Sequence, residues 1–159
     1  MQDKEYIEIL IQSLKKKLLL LNKLAVKNQD QKLMLEDENL TPEILEQNMN
    51  EKTDLITEIN HLDEGFDEVY DRMKLILEKD RCQYRDEIAK MQDLIREIMA
   101  KDTAIQTEER RNYALAQKKF ARVKKQIREV KASQKMVNRY YQNMMKQTYG
   151  SSQFMDSKK

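Results

Sequence analysis

Glu58 and His61, in the string EINH, stand three apart, which on a helix sets a carboxylate and an imidazole on one face at the spacing di-iron bundle sites use. Such a site takes two pairs of this kind and two further glutamates. The chain holds one histidine, so only a symmetric dimer would complete it; the expectation is a solvated or partly packed histidine and no metal. Cys82 is the single cysteine, which rules out an intramolecular disulfide or a cysteine metal cage and fits a reducing compartment. Nucleophilic catalysis needs an imidazole beside the thiol or hydroxyl, yet His61 and Cys82 lie 21 residues apart in a chain without pocket-forming loops between its helices. Glycines only at 65 and 150 leave no room for a Gly-rich phosphate loop. Carboxylate pairs abound, but on helices this charged they form a solvated face. The reading is of a protein that is not an enzyme and takes no cofactor.

The elements that position these side chains follow from composition. Of 159 residues, 36% are charged and 6% aromatic, with two glycines and one proline. Strands joined by turns need Gly, Pro, Asn and Asp at intervals to reverse the chain, and such breakers are too sparse here. The expected class is all-α: an antiparallel long-helix bundle or coiled coil of three to four helices. The helices are placed at about 3–36, 42–78, 84–110 and 112–149 in a single domain, 1–149, followed by a flexible polar tail, 150–159.

The first stripe takes Ile7, Ile11, Leu14, Leu18, Leu21, Ala25 and Leu35, in steps of three and four until Asn28 and Lys32 interrupt it. Thr41 and Pro42 then read as an N-cap followed by the first helical position. The second seam runs through Leu45, Met49, Ile56, Ile59, Phe66, Tyr70, Met73 and Leu77, with Lys52 and Asp63 as polar intruders. Gly65 beside Phe66 predicts close approach of a neighbouring backbone, or a local bend. A turn is required within EKDRCQYRDE, residues 78–87, where the apolar seam pauses. After it come Tyr84, Ile88, Met91, Ile95, Ile98 and Ile105; past the polar string KDTAIQTEERRN the frame slips, predicting a stutter or kink.

Charge divides the chain. Residues 1–109 hold 16 Lys and Arg against 26 Asp and Glu, a net of −10, whereas residues 110–159 hold 14 against 2, a net of +12. The basic stretch carries an apolar face that the shorter helices before it would leave uncovered, so it must fold back, pair with another chain or dock a ligand. Tyr113, Phe120, Val123, Ile127, Val130, Val137, Tyr140, Tyr141 and Met144 are therefore the candidate partner-binding residues. Nucleic acid is disfavoured because cations and apolar stripe share the same turns, whereas a DNA-binding helix must bury its apolar face elsewhere. Membrane-surface binding is disfavoured by the shortage of large aliphatic and tryptophan anchors. The longest aliphatic run, Leu18–Leu21, is too short to span a bilayer, and the start, MQDKEYIEIL, lacks the pattern of a secretory signal. The expectation is a soluble cytoplasmic protein.

The string NEKTDLITEINHLDEGFDEVYDRM, residues 50–73, resembles the second helix of the FlgN-type flagellar export chaperones, through an L-D-x-G-F-x-x-x-Y-x-R pattern carried by Asp63, Gly65, Phe66, Tyr70 and Arg72. Leu94, Ile95, Ile98, Ile105, Gln106, Glu109 and Asn112 match that family's third-helix pattern, and Gln153, Phe154, Met155 and Asp156 are similar to its chain ending. The likeness spans about residues 5–156. It implies a small cytoplasmic chaperone for type III secretion that binds the C-terminal helices of hook-associated proteins, prevents their premature assembly and delivers them to the flagellar export gate. The residues themselves lead to an expectation of no nucleic-acid partner and no stable membrane insertion, with a homo-oligomer left open. The rival reading is a structural coiled coil that only associates with itself.

Overall fold

The computed structural model describes the backbone of residues 2–157, and the side chains of residues 2–129, 131, 132, 135–140 and 142. Three long α-helices follow in order: α1 (Gln2–Glu36), α2 (Pro42–Lys79) and α3 (Arg85–Ser157). The protein is all-α, with no strand among the described residues.

Local chemistry sets the boundaries. Past α1, the Asp37 carboxylate accepts from the Asn39 amide at 2.9 Å, and the Leu40 amide donates to the Asp37 carbonyl at 3.3 Å, so the chain turns over five residues. Thr41 is extended (φ −93°, ψ 148°) and its hydroxyl accepts from the Ile44 amide at 3.4 Å, while Pro42, which lacks an amide proton, opens α2. At the other end the Asp80 amide closes onto the Ile76 carbonyl at 2.8 Å, and the amides of Gln83 and Tyr84 return to the Asp80 carbonyl. The turn anticipated within 78–87 thus occupies residues 80–84.

Two compact units divide the chain, Met1–Ala116 and Gln117–Lys159. In the first, Ile7, Leu10, Leu14, Leu21 and Leu24 of α1 share one apolar core with Ile59, Met73 and Leu77 of α2 and Met91, Ile98 and Ile105 of α3. Helix direction is legible in cross-helix bonds: Lys17 meets Asp63 at 2.9 Å and Lys27 meets Glu51, so α2 runs antiparallel to α1. The second unit consists of the remainder of α3.

Three expectations are corrected. Helices 84–110 and 112–149 are one helix, α3, which also includes Gly150 and continues to Ser157. KDTAIQTEERRN contains neither Gly nor Pro and is rich in Lys, Gln, Glu and Arg, so a change of apolar frame does not break its backbone. The seam of α2 is narrower than expected. Leu45, Lys52, Ile59, Phe66, Met73 and Leu77 face inward as read from the sequence, whereas Met49, Ile56 and Tyr70 are exposed. Gly65 approaches nothing, since a Cβ built there would meet no atom within 4 Å. It sits on the solvent side of α2, between Phe66 and Glu64, with no positive φ to require it.

Candidate functional site

Two features stand apart from ordinary core packing, both involving α3. The first is a polar layer inside the residue 1–116 unit. Along α3, Met91, Ile98, Ile105 and Asn112 recur every seven residues and all are buried. Asn112 therefore takes a core position, which is the physical reason the apolar stripe pauses at KDTAIQTEERRN. Its amide donates to the Asn28 carbonyl of α1 at 2.9 Å and to the Gln31 Oε1 at 3.0 Å. The Lys52 ammonium of α2, only 7% exposed, donates to the same Gln31 oxygen at 3.0 Å and pairs with the Glu109 carboxylate of α3 at 2.7 Å. Asn28 Nδ2 donates to Glu108 at 3.2 Å, and Asn48 Nδ2 donates to the Lys27 carbonyl at 3.1 Å. Each donor reaches across to another helix, so sliding one helix by a turn would strand several buried polar groups at once. The layer fixes which residues face one another.

Beside it, the Lys27–Glu51 pair joins α1 to α2. The hydrogen bond from Lys27, then that from Gln47, holds the Glu51 carboxyl below its ordinary value; the bond to Glu51 raises Lys27. At the α2–α3 turn, burial raises the Tyr84 phenol first, with the carboxylates of Asp3, Asp80 and Glu87 adding to the shift.

The second feature is the face of α3 beyond this layer. Every described side chain from Phe120 to Tyr140 is exposed. Phe120, Val123 and Ile127 follow one another in steps of three and four, with 58%, 44% and 50% of their surfaces open to solvent, and Val137 continues the row. Tyr113 is exposed and belongs to the first unit, while Tyr140 is exposed in the second. The side chains of Val130, Tyr141 and Met144 lie outside the described residues. Between residues 117 and 140 there are nine Lys and Arg and one acid, Glu129. The arrangement is an apolar row bordered on each turn by cations, suited to an amphipathic helix with acidic flanks.

His61 is exposed on α2 and Cys82 is exposed in the 80–84 turn. Among the described residues no group of three or more His, Cys, Asp or Glu side chains could hold a metal ion, and no helix is long and apolar enough to cross a membrane.

Sequence reasoning treated Asn28 and Lys52 as interruptions of a stripe and missed the layer they form. Their recurrence at core positions on separate helices was the available clue. Comparison with protein-family models, with curated proteins and with solved structures found no match.

Proposed function

We propose that the protein is a cytoplasmic chaperone of the flagellar type III export route, in which the cationic apolar face of residues 117–140 docks the C-terminal helix of a hook-associated protein, blocks its premature assembly and carries it to the export gate. The first unit then serves as an antiparallel three-helix bundle of coiled-coil character that supports the docking helix. One observation carries the reading: Phe120, Val123 and Ile127 keep the spacing of core residues yet remain about half exposed, bordered by lysine and arginine. A face like this gains about 25 cal/mol for each Å² of apolar surface a partner covers. The likeness of residues 50–73 and 94–112 to FlgN-type chaperones supports this class of partner.

The test is to mix the purified full chain with the C-terminal segments of hook-associated proteins and measure binding by calorimetry. A stoichiometric complex is expected. Val123→Asp or Ile127→Asp should weaken it by at least about tenfold, because each would place an unpaired carboxylate in the contact. Removing any one lysine should matter less, since single surface charges contribute little. Absence of a complex with every such segment at micromolar concentration defeats the proposal. Tight binding to nucleic acid that falls steeply with salt would instead assign the cations to phosphates.

A further inference from the structure

The residue 1–116 unit presents an apolar face of its own. On α1, Leu19, Val26 and Leu33 recur every seven residues and are exposed by 55%, 59% and 57%. Two shallow depressions lie between α1 and α2, one lined by Val26 of this row with Leu55, the other by Ile9 and Leu62. A third depression, which Leu14, Phe66 and Ile98 line, opens toward α3 instead. The first two thus mark a groove on the side of α1 and α2 that α3 leaves open.

Charge and length together indicate what fits it. Residues 1–116 hold 18 Lys and Arg against 26 Asp and Glu, a net of −8; residues 117–159 hold 12 against 2, a net of +10. Five carboxylates and three lysines line the two depressions, and two of those lysines are already engaged, Lys16 with Glu58 at 3.7 Å and Lys27 with Glu51. Among the described residues no lysine or arginine pairs with Glu5, Glu8 or Asp54. From Ile9 to Val26 the groove covers 17 helical steps, and the exposed row from Phe120 to Val137 covers the same 17, about 26 Å in each case. α3 is a single helix from Arg85 to Ser157.

We infer that the free protein forms a closed dimer in which residues 120–137 of each copy lie in the α1–α2 groove of the other. Each molecule supplies one groove and one cationic apolar row, so a reciprocal exchange satisfies both and ends the assembly at two. Apolar residues meet apolar residues along the shared length, while lysines and arginines face the unpaired carboxylates at the rim. The inference concerns the protein without any client and does not depend on which client it carries.

Light scattering coupled to gel filtration tests it on the full chain. Wild type should weigh as a dimer at micromolar concentration, and raising the salt should loosen it. A groove variant, Val26→Asp, and a row variant, Ile127→Asp, should each raise the dissociation constant at least about tenfold. Both positions are exposed in the single chain, so helicity and melting by circular dichroism serve as the folding control. The decisive arm is the mixture: equimolar Val26→Asp and Ile127→Asp should recover dimers, because one intact groove and one intact row remain between them. A wild type that stays monomeric up to about 100 μM overturns the inference, as does a Val26→Asp chain that dimerises like wild type, or a mixture that stays monomeric while wild type pairs.

Discussion

Helix α3 contains two stretches with the same kind of apolar spacing and opposite fates. Between Met91 and Asn112 the residues that recur every seven are at most 7% exposed, whereas Phe120, Val123, Ile127 and Val137 are about half exposed. Both stretches are helical, and neither contains glycine or proline. Periodicity therefore specifies a helix and the face that seeks cover, but not what supplies the cover. The first stretch, nearly balanced in charge, is covered from within; the described side chains of the second, cationic one are open to solvent.

The sharpest way to break this comparison is to truncate one apolar side chain from each environment. Leu10→Ala, at a fully buried position, should lower unfolding stability in urea by about 3 kcal/mol through lost contacts and a residual cavity. Phe120→Ala, measured where the protein is dilute enough to be single, should stay within about 0.5 kcal/mol of wild type. Equal losses would mean that the outer row is buried after all.

A pair of asparagines on the same helix makes the next contrast. Asn112→Ala should cost about 2 kcal/mol, since it removes two buried hydrogen bonds of the polar layer, to the Asn28 carbonyl and the Gln31 Oε1, and leaves a gap there. Asn138→Ala, at an exposed position, should be nearly silent in the same melting experiment.

Gly65→Ala should act in the opposite direction, raising stability by about 0.5–1 kcal/mol, because the added methyl meets no atom and the unfolded chain loses freedom. A loss on thermal denaturation would show that something approaches this side of α2.

The smallest effect belongs to Glu51. Its folded carboxyl titrates below the unfolded value of about 4.3, so the Lys27 pair contributes stability above that pH and loses it as pH falls through the folded value. The raised Lys27 contributes below the unfolded value of about 10.4 and fades as pH rises through its folded value. Glu51→Gln should remove a slight acid-side slope from the stability profile. The effect is small because water reaches both groups.

Much of the frame was legible in the chain itself. Thr41–Pro42 announced the start of α2, the pause within 78–87 located the second turn, and the α1 stripe identified Ile7, Ile11, Leu14 and Leu21, all of which are buried. What escaped depended on partners from other helices. Asn28 looks like a defect until Glu108 and Asn112 arrive from α3, and Lys52 until Gln31 and Glu109 do. In α2 the apolar positions form a band wider than the seam, and only the placement of α1 and α3 leaves Met49, Ile56 and Tyr70 outside it. Gly65 was misjudged because sequence proximity to Phe66 says little about facing direction, which turns by about 100° per residue. The outward row on α1 was hidden by its own abundance: four consecutive leucines, Leu18–Leu21, cannot all point inward, and Leu19 is the one left outside.

Lys52 also offers a use as an internal reporter. An amine held between an amide oxygen and a carboxylate should be the last of the chain's lysines to react with an acylating reagent or to admit trypsin at its peptide bond. The rate of its labelling, followed by mass spectrometry, would then clock how often the three helices part, without any engineered probe.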